Sequence, residues 1–173
     1  GSFLNDPLCR AVRAATAMGM VVVVAAGNYG VTSNGVEILG AIGSPGNEPS
    51  AITVGSAHHH DTLARADETL NRFSSRGPTR SGWTDADGLR HHDNLLKPDL
   101  VAPGNRIVGA LAGSPNALLA ANPLLEVGGY NAGRNARQML LSGTSIAAPA
   151  VAGTVAAMLQ ANPGLTPPLV KAI

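Results

Sequence analysis

The chain has 173 residues, 45% apolar and 13% charged; that apolar share offsets the entropy of ordering, so a disordered chain is excluded, and the length fits one domain or a large part of one. Twelve basic and eleven acidic residues leave a formal charge of +1 with no basic stripe interleaved with aromatics, which argues against nucleic acid or a charged membrane surface as partner. The sequence offers no apolar stretch of the roughly 18 residues a spanning helix needs and no signal-peptide pattern at its start, and its single cysteine, Cys9, leaves no internal disulfide.

In chain order, "NDPLCRAVRAATAMG" predicts an amphipathic helix: Asp6 serves as N-cap, Pro7 takes the first helical position, and Gly19 lies just past the end. Leu8, Val12, Ala15 and Gly19 fall on one face of it, with Arg10 and Arg13 projecting elsewhere. The next run, Met20 to Ala26, is apolar at every position and β-branched at its centre, as a parallel strand covered on both faces would be. "SAITVGSA" (residues 50–57) and "RIVGAL" (residues 106–111) read as two further strands. Residues 58–97 and 111–138 form long loops, a length that marks functional segments more often than plain connections. From Ser145 to Gln160 small apolar side chains surround the whole circumference, which suits a central helix against a sheet. The fold class is α/β.

Ser145 stands at the start of that helix, in "LSGTSIAAPAVAG". Taken alone, such a serine is an ordinary helix cap. Helix amides and the positive end of the helix dipole converge beside its hydroxyl, however, so the same position also suits a nucleophile whose developing oxyanion needs stabilising. Asn28, in "VVVVAAGNYG", has two readings as well: a residue that tolerates a left-handed turn, or an amide donor at the carboxyl end of a parallel strand, where α/β folds place ligands.

The serine motif resembles that of the subtilisin-like serine proteases: Gly143, Thr144, Ser145, Ala147 and Pro149, followed by Val151, Ala152 and Gly153. Ala150 stands where the family usually has a non-catalytic histidine. "VVVVAAGNYG", "SPGNEPSAITVGSA", "NRFSSRGPT", "KPDLVAPG" and "NPGLTPPLVKAI" are similar to further family segments in the same order, so the resemblance covers nearly the whole chain except its two long loops. It implies a parallel-sheet, three-layer fold, of which residues 1–173 would be the carboxyl-terminal portion. It implies Ser145 as nucleophile, Asn28 as oxyanion donor, and Gly27, Gly143 and Thr144 as substrate-binding positions.

A serine hydroxyl needs a histidine to take its proton and a carboxylate to orient that histidine. In this family both precede the serine in the order Asp, His, Ser; neither the Asp-Ser/Thr-Gly turn nor the His-Gly-Thr-His motif occurs in this chain. The expectation is therefore a partial peptidase domain, without the Asp- and His-bearing part, inactive alone and completed by that missing half. The uncovered edge of the strand at residues 20–26 then predicts self-association of the isolated chain.

His58, His59, His60, His91 and His92 lack the i, i+4 spacing of helical zinc ligands and read as solvated loop residues. Trp83 and Tyr130 suit a groove lining or cover for an apolar patch. The resemblance implies protein or peptide substrates, no organic cofactor, structural calcium by family habit though no Asp-rich loop marks a site, and an extracellular location. A non-catalytic binding or scaffold module of the same family is the alternative; a nucleotide-binding module is weaker, because "AAGNYG" lacks the G-x-G-x-x-G pattern.

Overall fold

The computed structural model describes residues 2–111, 116–127 and 138–173. Helix α1 (Pro7–Ala17) begins where its punctuation predicts: the Asp6 carboxylate accepts the amides of Leu8 and Cys9 at 2.9 and 3.0 Å, and Gly19, at φ +93°, follows the C-cap residue Met18. Its inward face differs from the expected one. Leu8 is 57% exposed, whereas Cys9 is fully buried and Arg13 turns inward to the buried Glu48 carboxylate at 2.6 Å. The stripe at Cys9, Val12, Arg13 and Thr16 obeys helical spacing, but an ion pair with a loop carboxylate outweighs simple hydropathy in setting which side faces in.

Strand β1 (Val23–Ala25) pairs in parallel with β2 (Ile52–His58) in the register Val23↔Ile52, and β2 pairs in parallel with β6 (Leu100–Pro103) in the register Val54↔Leu100. Between them lie β3 (Thr69–Leu70), antiparallel to β2, and a hairpin of β4 (Gly82–Thr84) with β5 (Arg90–His92). The α/β class stands. The strand at β6 was hidden in "KPDLVAPG", whose prolines read as loop punctuation; Pro98 precedes the strand and Pro103 closes it, so neither interrupts the ladder. "RIVGAL" gives β7 (Ile107–Ala110), but this strand leaves the parallel sheet and pairs antiparallel with β9 (Gln138–Leu141), which also pairs with β8 (Glu126–Val127). The loop at 111–138 also holds helix α2 (Ala117–Ala121); Tyr130 lies outside the described residues.

Helix α3 (Thr144–Ala161) packs on β1, β2 and β6, and helix α4 (Pro167–Ala172) follows it. Ile52, Val54, Ala102, Ala147, Ala148, Val155 and Val170 form the core beneath α3, each large aliphatic side chain contributing about 1.5–3 kcal/mol by leaving water. On its other face β2 is covered by loops, with the Thr53 hydroxyl donating to Gly46 O at 2.7 Å. Two expectations change here. The run at 20–26 is only half-buried over β1, because β2 is its one strand partner among the described residues. Helix α3, with 18 residues and a mean hydropathy of 1.3, does reach the length and apolarity of a membrane span, and only 22% of it is buried; its small side chains serve contact with the sheet on one side and leave an apolar face open on the other.

Candidate active site

The site forms where β1 ends and α3 begins. Beyond Ala25 the chain leaves the sheet through Gly27, whose φ of +105° suits glycine, and presents the exposed side chain of Asn28. Gly143, at φ +153°, is the N-cap residue of α3, Thr144 its first residue and Ser145 its second. Ser145 is therefore not the cap. Its side chain is exposed, and no hydrogen bond holds its hydroxyl among the described residues.

Thr144 joins the two elements. Its hydroxyl accepts the Gly27 amide at 3.1 Å, which leaves its one proton for the Asn28 Oδ1 at 3.1 Å. The Thr144 amide donates to the same oxygen at 3.0 Å. With its carbonyl engaged twice, the Asn28 amide has a fixed orientation, and Nδ2 points the other way. A Cβ placed on Gly143 would lie 3.4 Å from Asn28 Nδ2 and 3.7 Å from the Ser145 amide nitrogen. The Asn28 side-chain nitrogen and the Ser145 amide nitrogen thus border one small space, which glycine at 143 leaves unfilled.

The remaining expected residues fall around this hollow. Gly27 and Gly143 flank it, and Gly143 is anchored by its amide donating to Gly104 O at 2.8 Å, which brings in the loop after β6. Thr144 is fully buried, so its side chain meets Asn28 and Gly27, not open space. The Ser145 amide, in the first turn of α3, has no partner among the described residues and lies at the positive end of the helix dipole. Such paired donors suit an oxyanion.

The histidines lie elsewhere in the hydrogen-bond network. His58 accepts the His60 amide at Nδ1 and stacks on the His60 ring at 4.1 Å, while His60 Nε2 meets the Thr69 hydroxyl at 2.9 Å. His91 Nε2 sits 2.6 Å from Asp85 Oδ2 and stacks with Trp83 at 5.1 Å; the His91 hydrogen bond holds the Asp85 carboxyl below its ordinary range. These two form a structured hairpin, where a solvated loop was expected. Among the described residues no histidine or carboxylate hydrogen-bonds to Ser145, and no group of three or more His, Cys, Asp or Glu side chains is arranged to hold a metal ion.

Two features have no counterpart among the expectations from sequence: the part Thr144 plays in fixing the amide, and strand β6. A buried threonine next to a helix-start glycine carries no pattern of its own; its role depends on a residue 116 positions away.

Comparison with known proteins matches the subtilase family over residues 2–173. The serine protease AprX of Bacillus subtilis is 38% identical over 167 residues, 96% of this chain and 32% of AprX. The subtilisin-like protease SBT2.4 of Arabidopsis thaliana is 40% identical over 101 residues, 58% of this chain and 10% of that protein. Among solved structures, sphericase superposes with a TM-score of 0.60 at 26% identity, covering 99% of this chain and 44% of sphericase. A cold adapted subtilisin-like serine proteinase gives a TM-score of 0.54 at 26% identity over 94% of this chain and 40% of that one. The chain spans about a third of AprX, and less of the plant relative.

Proposed function

The chain belongs to the subtilase family, and from that premise we propose that it is the carboxyl-terminal part of the catalytic domain of a serine endopeptidase. In the complete enzyme, Ser145 Oγ attacks the scissile carbonyl of a protein or peptide. Asn28 Nδ2 and the Ser145 amide hold the oxyanion, the amine leaves with a proton, and water hydrolyses the acyl-enzyme. Gly27 and Gly143 line the approach of the substrate backbone. Thr144 keeps the Asn28 donor facing the reaction. The observation that carries this reading is the placement of Asn28 Nδ2 and the Ser145 amide around one point above Gly143.

The proton acceptor for Ser145, a histidine oriented by an aspartate, comes in this reading from an upstream segment of the natural polypeptide. The partly uncovered strand β1 and the open apolar face of α3 support such a segment as the occupant of that side. The isolated chain is accordingly inactive, and the reading asks for no organic cofactor. We extend it to an exported enzyme, which fractionation of the producing cell would check.

The test is labelling of the complete polypeptide with a fluorophosphonate, followed by mass spectrometry. An adduct on the peptide containing Ser145, abolished by Ser145→Ala, is expected. A protein that folds, contains the upstream segment and takes no label at Ser145 overturns the reading. That result would favour the alternative, a non-catalytic module, which draws support from the absence of a histidine partner for Ser145 among the described residues.

A further inference from the structure

Asn28 lies in neither a strand nor a helix, so the aim of its amide depends on what fixes the backbone on either side. Thr144 holds the side-chain carbonyl and the Gly27 N–H. Further along, the Gly30 amide donates to Phe73 O at 2.8 Å, and the two residues that directly flank Asn28 are both held by Ser75. The Ser75 amide donates to Gly27 O at 2.9 Å, and the Ser75 hydroxyl accepts the Tyr29 amide at 3.0 Å. Its two hydrogen bonds therefore grip the residues immediately before and after Asn28. Ser75 is fully buried, and a Cβ on Gly27 would come within 2.9 Å of its Oγ, so glycine at 27 and serine at 75 fit one another.

The neighbouring serine does something different. Ser74 is equally buried, but its hydroxyl accepts the Ser56 amide at 3.0 Å, within β2. Two adjacent serines of one short motif thus diverge, one toward the sheet and the other toward the catalytic turn.

We propose that Ser75 is a positioning residue for the oxyanion donor: it clamps the Gly27–Tyr29 backbone so that Asn28 Nδ2 meets the developing negative charge. The proposal rests on the reading of Asn28 given above. Its physical basis is that a donor contributes fully only at the position the oxyanion takes, and misplacement by about 1 Å can cost on the order of 100-fold. Ser75 is fully buried, out of reach of a substrate on the surface, so its loss should act on kcat far more than on KM.

The experiment is steady-state kinetics of the complete polypeptide on a chromogenic peptide amide, in a double-mutant cycle. Ser75→Ala should lower kcat by roughly 10-fold with KM within about twofold, and in an Asn28→Ala background the same change should cost less than about twofold, because the group it aims is gone. Ser74→Ala serves as the control: it should lower the melting temperature and leave kcat within about twofold. If Ser75→Ala proves too unstable to assay, Ser75→Cys, which fills the space but accepts weakly, should give the same pattern at smaller amplitude. Equal losses from the Ser75 change in both backgrounds, or an unchanged kcat, would overturn the proposal. An Asn28→Ala enzyme with full kcat would instead remove the oxyanion reading itself, and this inference with it.

Discussion

Asn28 and Thr144, 116 positions apart, are joined twice through a single oxygen: Asn28 Oδ1 accepts both the Thr144 amide at 3.0 Å and the Thr144 hydroxyl at 3.1 Å. A primary amide whose carbonyl is doubly engaged cannot exchange its ends without losing two hydrogen bonds, so its N–H face stays toward Gly143 and Ser145. Thr144→Val keeps the shape and removes the hydroxyl, leaving the Gly27 amide unpaired and one lock broken. The expected stability cost is about 1–3 kcal/mol, read by denaturant unfolding, with a fall in kcat and near-constant KM in the complete polypeptide. Thr144→Ser, which keeps the hydroxyl, should retain most of the kcat; a valine variant with unchanged kcat would show that the hydroxyl does not steer Asn28.

Asn28→Ala removes the donor itself. The loss in kcat should be on the order of 100- to 1000-fold, the cost of removing one oxyanion-hole donor in subtilisin. KM should change little, since the donor meets the substrate mainly in the transition state. Loss confined to KM would mean that Asn28 binds substrate without stabilising the oxyanion.

Self-association follows from surface that the fold leaves uncovered. Among the described residues β1 has a strand partner on one side only, and α3 is an apolar helix with 22% of its length buried. Open strand edges and broad apolar patches recruit other chains. Light scattering of the isolated chain at micromolar concentration should report a dimer or larger species, and supplying the upstream segment should dissolve it. A stable monomer would argue that these surfaces are covered in some other way.

Much of this was legible in the sequence where short-range chemistry decides. Asp6, Pro7 and Gly19 punctuate α1 as their backbone preferences require, and the apolar runs mark β1, β2 and α3. The Ser145 and Asn28 motifs were readable because one opens a helix and the other follows shortly after a strand. What escaped was set by distant partners. The inward turn of Arg13 depends on Glu48, 35 positions on, and β6 depends on pairing with β2 across a hairpin that separates them. The division of labour between Ser74 and Ser75 is likewise invisible in a pair of identical letters.

A test of the packing around α4 comes from pH. Lys97 donates its ammonium to Ala51 O at 3.0 Å and to Asp99 Oδ2 at 2.7 Å, while Lys171 of α4 reaches Ala51 O at 2.6 Å and Asp99 Oδ1 at 3.2 Å. With its side chain only 3% exposed, Lys97 has its pKa drawn down by burial from an ordinary 10.5 to about 8; Asp99 opposes that fall and Lys171 adds to it. A base with a lower pKa folded than unfolded means that the unfolded chain binds more protons between the two values. The contribution of Lys97 to stability is therefore at its least below about pH 8 and rises through the window up to about 10.5, at no more than about 1.4 kcal/mol per pH unit. Lys97→Met removes the titrating group but keeps the length of the side chain. The difference in unfolding free energy, native chain minus variant, should climb with pH across that window and stay level between pH 6 and about 7. A difference that falls as the solution is made alkaline would show that the Lys97 ammonium is better stabilised in the fold than in water, and a flat one that burial does not disfavour it at all; either result contradicts the expected rise.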